Sequence, residues 1–548
     1  MNLTPPLKPE SYLWKPISHE PLVWQRPALA GECMWIPRPK ELRELFVCSS
    51  LTLNSPIPRE TFNARVRQAW RLLRFKVPEL GVSTTCGEDG KLYMQYHTPK
   101  NQEVEEWIDR THYCQSGEYK RDFEIVRGTL LAIKQGRNSD NSLLLSRAIH
   151  EKGAELVKHS QIMICVDHQV ADGIGARILF GKFLALLASS LGIGPVAAET
   201  EIKWEDSYHN LSQPWICFMN ADQILSGSKY EETAANNREV LLNQMKNNPG
   251  LPLLETPRPP TQETHFITLS TAQTAAILNA IKQVASPNFN ITHLGHAATV
   301  VALLRSIPAS LTTSSQTLYS PCWLNGRRYL QSSGAEPGPE PTKSYIPICQ
   351  SFAPVVFPDL QGLALSSSAG TGEVRDVLVK ACRIATAEYG KIKASKSMLP
   401  ECVVLFEELG EGMALKNREL SLEQNNPSSI QERNQTDEPP PTADPFFLSD
   451  GLTEHYISHS YPSPPLISSS LSSLTSNTPS PEPAFTVDDV QFAANAEKNL
   501  IVRMSSWRGR TTISGEWRGC DFDRDLIVRF LEDVVAIMLS IVVNDEEV

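Results

Sequence analysis

The sequence lacks the usual marks of secretion and of membrane insertion. Its 11 cysteines form no Cys-x-x-Cys pair, and an odd, scattered set is typical of free thiols in a reducing compartment. The first ten residues contain no apolar core of signal-peptide length. No run reads as a membrane span, since the best candidate, 526–543, carries Arg529, Glu532 and Asp533. We therefore expect a cytoplasmic protein with no membrane partner.

A net positive charge and two catalytic motifs are also missing. The net charge is −11 at pH 7, and nucleic-acid binding needs a basic surface, so we expect no nucleic-acid partner. The absence of Gly-x-Ser-x-Gly argues against a serine esterase. The run Ser-Ala-Gly-Thr-Gly-Glu-Val at 368–374 looks like a phosphate-binding loop but lacks the P-loop lysine. It is better interpreted as the start of a helix over 374–389.

The length of 548 residues is sufficient for two lobes. We predict a first lobe over 1–248, a stiff proline-rich crossover at 249–263 and a second lobe over 264–548. Strand-like and helix-like runs alternate in both halves, which predicts an α/β fold of two similar sandwich lobes with mixed sheets. Residues 417–483 are rich in Ser, Pro, Gln, Asn and Glu, and we predict a disordered insertion there.

The most informative segment joins a strand to a helix. Residues 161–166 are β-branched and sulfur-rich, as in a buried strand, and residues 173–188 carry a helical apolar stripe. Between them stands His168-x-x-x-Asp172-Gly173. An imidazole at the end of a buried strand is held firmly yet can reach a cleft, so His168 is our candidate general base. The alternative is a core histidine followed by an ordinary helix cap at Asp172.

This motif resembles the signature of the CoA-dependent acyltransferase superfamily. That group includes chloramphenicol acetyltransferase, the plant BAHD enzymes, the condensation domains of peptide synthetases and the fungal trichothecene O-acetyltransferases. The order of elements is similar over most of the chain: an early helix at 58–80, a hairpin at 87–96, a strand and helix at 264–278, a helix at 291–304 and a strand ending in Gly-Arg at 319–328. The resemblance implies an active-site tunnel between two lobes and acyl transfer from CoA to an alcohol.

Three departures narrow the resemblance. Condensation domains usually carry a second His before the catalytic one, where this chain has Asp167. The Asp-Phe-Gly-Trp-Gly loop of the plant enzymes is absent, and no serine for a phosphopantetheine arm is recognisable. The chain is most similar to the trichothecene O-acetyltransferase branch. That branch implies an enzyme that uses acyl-CoA, with acetyl-CoA favoured, to acylate a hydroxyl of a terpenoid or polyketide. We also expect a monomer without a bound cofactor.

The resemblance also implies roles for residues around the histidine. Asp172 would point away from the cleft and pair with an arginine, and Arg327 is the residue at the matching position. The oxyanion donor would lie on the second lobe, where Ser476-Asn477 resembles the Ser-Asn of condensation domains. Gly173 would let the backbone turn tightly into the helix.

Other interpretations stay open at this point. His293 and His296 have a spacing that can bind zinc, but no third ligand accompanies them and we expect no metal. Cys165 is expected to pack in the core rather than to act as a nucleophile. A non-catalytic binding protein of the same fold and an amide-forming enzyme with an amine acceptor are the two functional alternatives.

Overall fold

The computed structural model describes residues 7–20, 22–88, 90–117, 123–135, 140–149, 155–191, 202–220, 222–255, 258–284, 289–307, 317–331, 341–365, 369–424, 442–462 and 482–542. The strands are β1 (Lys15–His19), β2 (Leu22–Pro27), β3 (Glu44–Pro58), β4 (Val82–Cys86), β5 (Leu92–His97), β6 (His112–Gly117), β7 (Ser142–Ile149), β8 (Leu156–Asp167), β9 (Leu251–Pro252), β10 (Gln262–Thr268), β11 (Leu318–Asn325), β12 (Gln350–Phe357), β13 (Thr442–Ala443), β14 (Phe446–Leu452), β15 (Ser460–Pro462), β16 (Pro483–Ala494), β17 (Ile501–Trp507) and β18 (Arg510–Arg518). The helices are α1 (Gly31–Trp35), α2 (Arg59–Lys76), α3 (Asn101–Thr111), α4 (Phe123–Gln135), α5 (Gly173–Leu191), α6 (Ser228–Leu242), α7 (Thr271–Val284), α8 (Ile291–Ser306), α9 (Pro341–Ser344), α10 (Thr371–Ala394), α11 (Met398–Gln424) and α12 (Arg524–Leu539).

The sheet of the first lobe is mixed and covered on both faces. Its strand order is β15-β16-β3-β8-β7-β6, in which only β6 and β7 pair in parallel. Successive residues of a strand point to opposite faces. Accordingly Ile162 and Ile164 of β8 pack with α2 and α5, whereas Met163 and Cys165 pack with α4. This double burial explains why β8 is apolar without alternation.

The second lobe is built on the sheet β10-β18-β17-β14, with β14 parallel to β17, and on the hairpin β11-β12. Helix α8 is buried along almost its whole length, and α10 and α12 pack against it. A helix that is enclosed on all sides is apolar all round, as the sequence of α8 is. The predicted α/β class, with two lobes and mixed sheets, is confirmed.

The strands are not divided between the lobes as we predicted. By sequence β15 and β16 fall in the segment 264–548, yet they extend the sheet of the first lobe. Strand β16 pairs with β3 from Phe485 opposite Leu53 to Ala494 opposite Leu45. The prediction failed here because this pairing joins opposite ends of the chain, and local patterns carry no record of such a pairing.

The predicted disordered insertion at 417–483 is wrong in part. Helix α11 extends to Gln424, and residues 442–462 contain β13, β14 and β15; residues 425–441 and 463–481 lie outside the described part. Phe447, Ile457 and Tyr461 are buried in the core. The polar composition of the whole window concealed these few apolar residues, which are enough to hold short strands in place.

Helix α5 corrects one further expectation. Gly173–Leu191 is long and apolar enough to cross a membrane by length and composition, whereas we predicted no such run. In the most apolar 18-residue stretch of this helix, 67% is buried inside the protein. The helix packs against α2. Its position in the core of the first lobe therefore accounts for its apolar sequence.

Candidate active site

The loop that carries His168 lies between the end of β8 at Asp167 and the start of α5 at Gly173. The backbone N–H of His168 donates to the carbonyl oxygen of Arg43 at 2.6 Å. The carboxylate of Asp167 accepts a hydrogen bond from the backbone N–H of Gln169 at 2.9 Å and lies 3.2 Å from the Arg43 guanidinium. The backbone on both sides of His168 is therefore fixed.

The imidazole of His168 is stacked on an indole ring. The ring centroids of Trp35 and His168 are 3.8 Å apart, and the planes are inclined by 15°. Arg38 also lies over this indole, with its guanidinium carbon 4.6 Å from the ring centroid. Nδ1 of His168 is buried and hydrogen-bonds to no other residue in the described part of the chain. The stacking contact with Trp35 therefore helps to orient the plane of the imidazole.

Trp35 is the last residue of the short helix α1. The residue before this helix, Ala30, has φ of 48°, a conformation that an L-residue rarely adopts. Glu32, in the first turn, forms a buried bidentate ion pair with Arg26, at 2.7 and 2.6 Å. These contacts anchor α1, and with it the indole that meets His168.

Asp172 and Arg327 are in direct contact. Oδ2 of Asp172 lies 2.8 Å from Nη1 of Arg327 and accepts the backbone N–H of Cys349 at 2.8 Å, while Oδ1 accepts the backbone N–H of Gly175 at 2.7 Å. Burial alone would raise the pKa of Asp172, but Arg327 and the backbone donors hold it below its ordinary value. The charged carboxylate thus joins the start of α5 to the second lobe.

Burial sets the charge of His168. It lowers the pKa of the imidazole to about 4, and the negative charge of Asp172 opposes this shift without cancelling it. His168 is therefore neutral at pH 7, and a neutral imidazole can accept a proton. This is the protonation state that a general base requires.

His168 lines a cavity of about 590 Å³ between the lobes. A volume of this size is ordinary for a small-molecule site. Apolar side chains from both lobes form much of its wall: Met34, Trp35, Leu45 and Ile174 from the first lobe, and Trp323, Leu324, Phe446, Phe447 and Ile501 from the second.

An ion network crosses between the lobes at the wall of this cavity. Asp450 of β14 pairs with Arg177 of α5 and, at 3.0 Å, with Arg503 of β17. The ring of Phe492, on β16, lies 4.0 Å from the guanidinium carbon of Arg177 and 4.6 Å from that of Arg503. The side chains of the two arginines and the aspartate are buried or nearly so. Ion pairs that are largely shielded from solvent therefore connect the two lobes.

The remaining predicted site residues do not join this cavity wall in the described part of the chain. Ser476 and Asn477 lie outside the described residues. Cys165 is buried in the sheet, and burial raises the pKa of its thiol, which disfavours a nucleophilic thiolate. His293 and His296 are not part of a group of metal ligands, since the described residues contain no cluster of three or more His, Cys, Asp or Glu side chains that could hold a metal ion.

Sequence reasoning missed Trp35 and Asp450. Trp35 lies in a short apolar run, Cys-Met-Trp-Ile at 33–36, before the first helix that we predicted. Asp450 follows Phe-Phe-Leu-Ser at 446–449, inside the segment predicted to be disordered. Two adjacent aromatic residues in an otherwise polar stretch were the available signal for a buried strand.

Two lobes with mixed sheets, and the His-x-x-x-Asp-Gly motif at the cavity between them, agree with the resemblance to the CoA-dependent acyltransferases. The family model for the 15-O-acetyltransferase Tri3 matches residues 4–406. The chain belongs to the Tri3 family, and it is therefore an acyltransferase.

Individual relatives agree with this assignment over the whole chain. The chain is 23% identical over 555 residues to trichothecene 15-O-acetyltransferase TRI3 of Fusarium sporotrichioides, with 98% of each chain covered. It is 23% identical over 559 residues to trichothecene O-acetyltransferase TRI3 of Trichoderma arundinaceum, again with 98% of each covered.

Solved structures show the same fold. The structure of TRI3 from Fusarium sporotrichioides superposes with a TM-score of 0.78 at 20% identity, covering 98% of this chain and 100% of that one. The EpoB cyclization-docking bidomain from Sorangium cellulosum superposes with a TM-score of 0.53 at 12% identity, covering 94% of this chain and 85% of that one.

Proposed function

We propose that the protein transfers an acetyl group from acetyl-CoA to a hydroxyl of a trichothecene-type terpenoid, with His168 as the general base. The observation that carries this proposal is the neutral imidazole of His168 in an interlobe cavity of about 590 Å³. The family and the names of its relatives support the acetyl donor and the trichothecene acceptor. A cytoplasmic location, a monomeric state and the absence of a bound cofactor stay predictions from the sequence.

The chemistry follows from the weakness of an alcohol as a nucleophile. His168 removes the hydroxyl proton as the oxygen attacks the thioester carbonyl, and a C–O bond forms. The tetrahedral intermediate then collapses, the C–S bond breaks, and the CoA thiolate leaves and takes up the proton from the imidazolium. We assign the base to Nε2, because Nδ1 is buried.

The oxyanion of the intermediate needs a hydrogen-bond donor. The hydroxyl groups of Thr292, on α8, and Ser449, on β14, lie 2.9 Å apart, and both residues line the cavity. This pair is our candidate donor on the second lobe. Ser476 and Asn477 stay a prediction.

The acceptor is tested by thiol release. Wild-type protein is mixed with acetyl-CoA and a trichothecene that bears a free 15-hydroxyl, and the product is analysed by mass spectrometry. We expect thiol release together with an O-acetyl product, and no reaction with the 15-acetylated compound. Product with amines alone would show an amide-forming enzyme. Binding of the alcohol without thiol release would show a non-catalytic protein.

A further inference from the structure

A chain of hydrogen bonds inside the second lobe ends at the cavity wall. His296 of α8 is fully buried. Its Nε2 lies 2.7 Å from the hydroxyl of Ser320, and its Nδ1 lies 3.1 Å from the hydroxyl of Tyr389 on α10. Tyr389 lines the cavity beside Cys322, whose thiol donates to the tyrosine oxygen at 3.6 Å. Polar groups are thus connected from the core of the lobe to the cavity.

This series of hydrogen-bonded groups is uncharged, because burial disfavours the charged form of each titratable member. Burial lowers the pKa of His296 to about 3 and raises the pKa of Tyr389 above its ordinary value. A neutral imidazole has one donor and one acceptor nitrogen. The two hydrogen bonds of His296 must therefore run in the same direction along the chain.

Two directions are possible, and each releases a different hydroxyl proton from the series of hydrogen bonds. In the first, Ser320 donates to Nε2 of His296 and Nδ1–H donates to Tyr389, whose own proton is then available to a ligand in the cavity or to the weakly accepting sulfur of Cys322. In the second, Tyr389 donates to Nδ1 and Nε2–H donates to Ser320, whose proton is then free.

The positions of the two hydroxyls decide between these directions. Ser320 is 3% exposed, and a donor left unpaired in such a buried place is unfavourable. Tyr389 borders a cavity, where solvent or a ligand can accept its proton. The first direction is therefore favoured, and it leaves the Tyr389 hydroxyl as a donor toward the cavity.

We propose that Tyr389 forms a binding subsite for an oxygen atom of the acceptor, one with a free lone pair such as a hydroxyl, ether or carbonyl oxygen. His296 and Ser320 are positioning residues that keep the tyrosine proton directed toward the cavity. Phe447 stacks on His296 with ring centroids 5.0 Å apart and lines the same wall, so the donor lies in an apolar setting that favours an oxygenated ligand at this point. This inference rests on the proposed function, because it places the alcohol acceptor in this cavity.

The test compares Tyr389→Phe with a matched variant, Tyr96→Phe. Both substitutions remove one hydroxyl and keep the ring. Tyr96 is buried in the first lobe, where its hydroxyl lies 2.7 Å from Ser207. For Tyr389→Phe we expect KM for the trichothecene alcohol to rise about tenfold, the effect of one lost hydrogen bond, with kcat and KM for acetyl-CoA changed less than about threefold. Tyr96→Phe is expected to leave all three unchanged.

Calorimetry with the same trichothecene alcohol and no acetyl-CoA separates the subsite from the reaction. A Kd that rises about tenfold in Tyr389→Phe, and less in Ser320→Ala, supports the subsite even if turnover is absent. An unchanged Kd in Tyr389→Phe overturns the subsite while the acetyltransferase function stands. A loss confined to kcat, or a rise in KM for acetyl-CoA alone, also overturns it. Failure of the wild type both to bind and to acetylate the alcohol overturns the proposed acceptor and the subsite with it.

Discussion

At the scale of single residues, His168 and Asp172 belong to one motif but have opposite surroundings. The imidazole of His168 has an indole against its face, its Nδ1 has no hydrogen bond to another residue in the described part of the chain, and burial keeps it neutral. The carboxylate of Asp172 has a guanidinium and two backbone N–H donors, which keep it charged. We therefore infer that His168 accepts and returns the proton, while Asp172 fixes the position of the loop that carries His168.

Asp172→Asn is expected to reduce stability more than intrinsic rate. The substitution leaves the fully buried Arg327 guanidinium without its counter-charge, which we expect to cost about 3 kcal/mol. Thermal melting of the purified variant measures the loss, and kcat per folded molecule measures the rate. Asp533→Asn is the control, because Asp533 pairs with Arg305 at 3.8 Å on the surface. An unchanged melting temperature with lost turnover would contradict the positioning role.

Trp35→Ala is expected to change the pH dependence of the reaction. Burial is the largest cause of the low pKa of His168, about 4 against an ordinary 6.5, and loss of the indole admits water to one face of the ring. The folded-state pKa is depressed, so the wild type should keep its base neutral until the pH falls to about 4. In the variant, the acid limb of kcat/KM should move to higher pH.

Two further variants make this pH measurement specific. Trp35→Phe keeps an aromatic face and should keep the acid limb near that of the wild type. Trp24→Ala removes an indole that stacks on Tyr208 at 4.7 Å in the first lobe, and it should not move the limb. The role of the stack is refuted if Trp35→Ala and the wild type share the same acid limb.

At the scale of elements, β14 and α1 complete the site although neither belongs to the strand–loop–helix unit that carries His168. Strand β14 supplies Ser449 and Asp450 to the cavity wall, and α1 supplies Trp35. Each is held by buried charge: Asp450 by Arg177 and Arg503, and α1 through its own ion pair. The shape of the site therefore depends on short elements fixed by ion pairs.

Asp450→Asn tests the coupling that β14 provides. The substitution leaves Arg177, which is 1% exposed, with a positive charge and no carboxylate partner from β14. We expect the free energy of unfolding to fall by about 3 kcal/mol, measured by urea denaturation. Asp489→Asn, at an exposed pair with Arg510 at 4.0 Å, should change it by less than about 1 kcal/mol. Equal effects of the two substitutions would exclude the coupling role.

At the scale of the whole molecule, the local parts of the site could be predicted from the sequence and the long-range parts could not. The run into His168 shows a buried strand, a loop and a helix by its own pattern. The contact of Asp172 with Arg327 followed from a family resemblance rather than from any local signal. Trp35 could not be placed at His168, because that contact depends on how α1 packs in three dimensions.

The position of β15 and β16 in the sheet of the first lobe could not be predicted from the sequence either. Residues 483–494 form β16, but nothing local in the sequence shows that this strand pairs with β3 of the other lobe. For β14 the obstacle was different: its few buried residues, such as Phe447, lie in a polar window whose average composition favours disorder. Averages over long windows hide short strands that tertiary contacts stabilise.

The most direct test of the central claim is kcat for acetyl transfer by His168→Ala beside the wild type and His209→Ala. His209 is exposed and lies outside the strand–loop–helix unit that carries His168, so its loss controls for a general effect of removing a histidine. We expect His168→Ala to lower kcat at least about 100-fold, the contribution of a positioned general base, with a melting temperature near that of the wild type, while His209→Ala keeps its rate. A folded His168→Ala protein that retains wild-type turnover would contradict the assignment of His168 as the base.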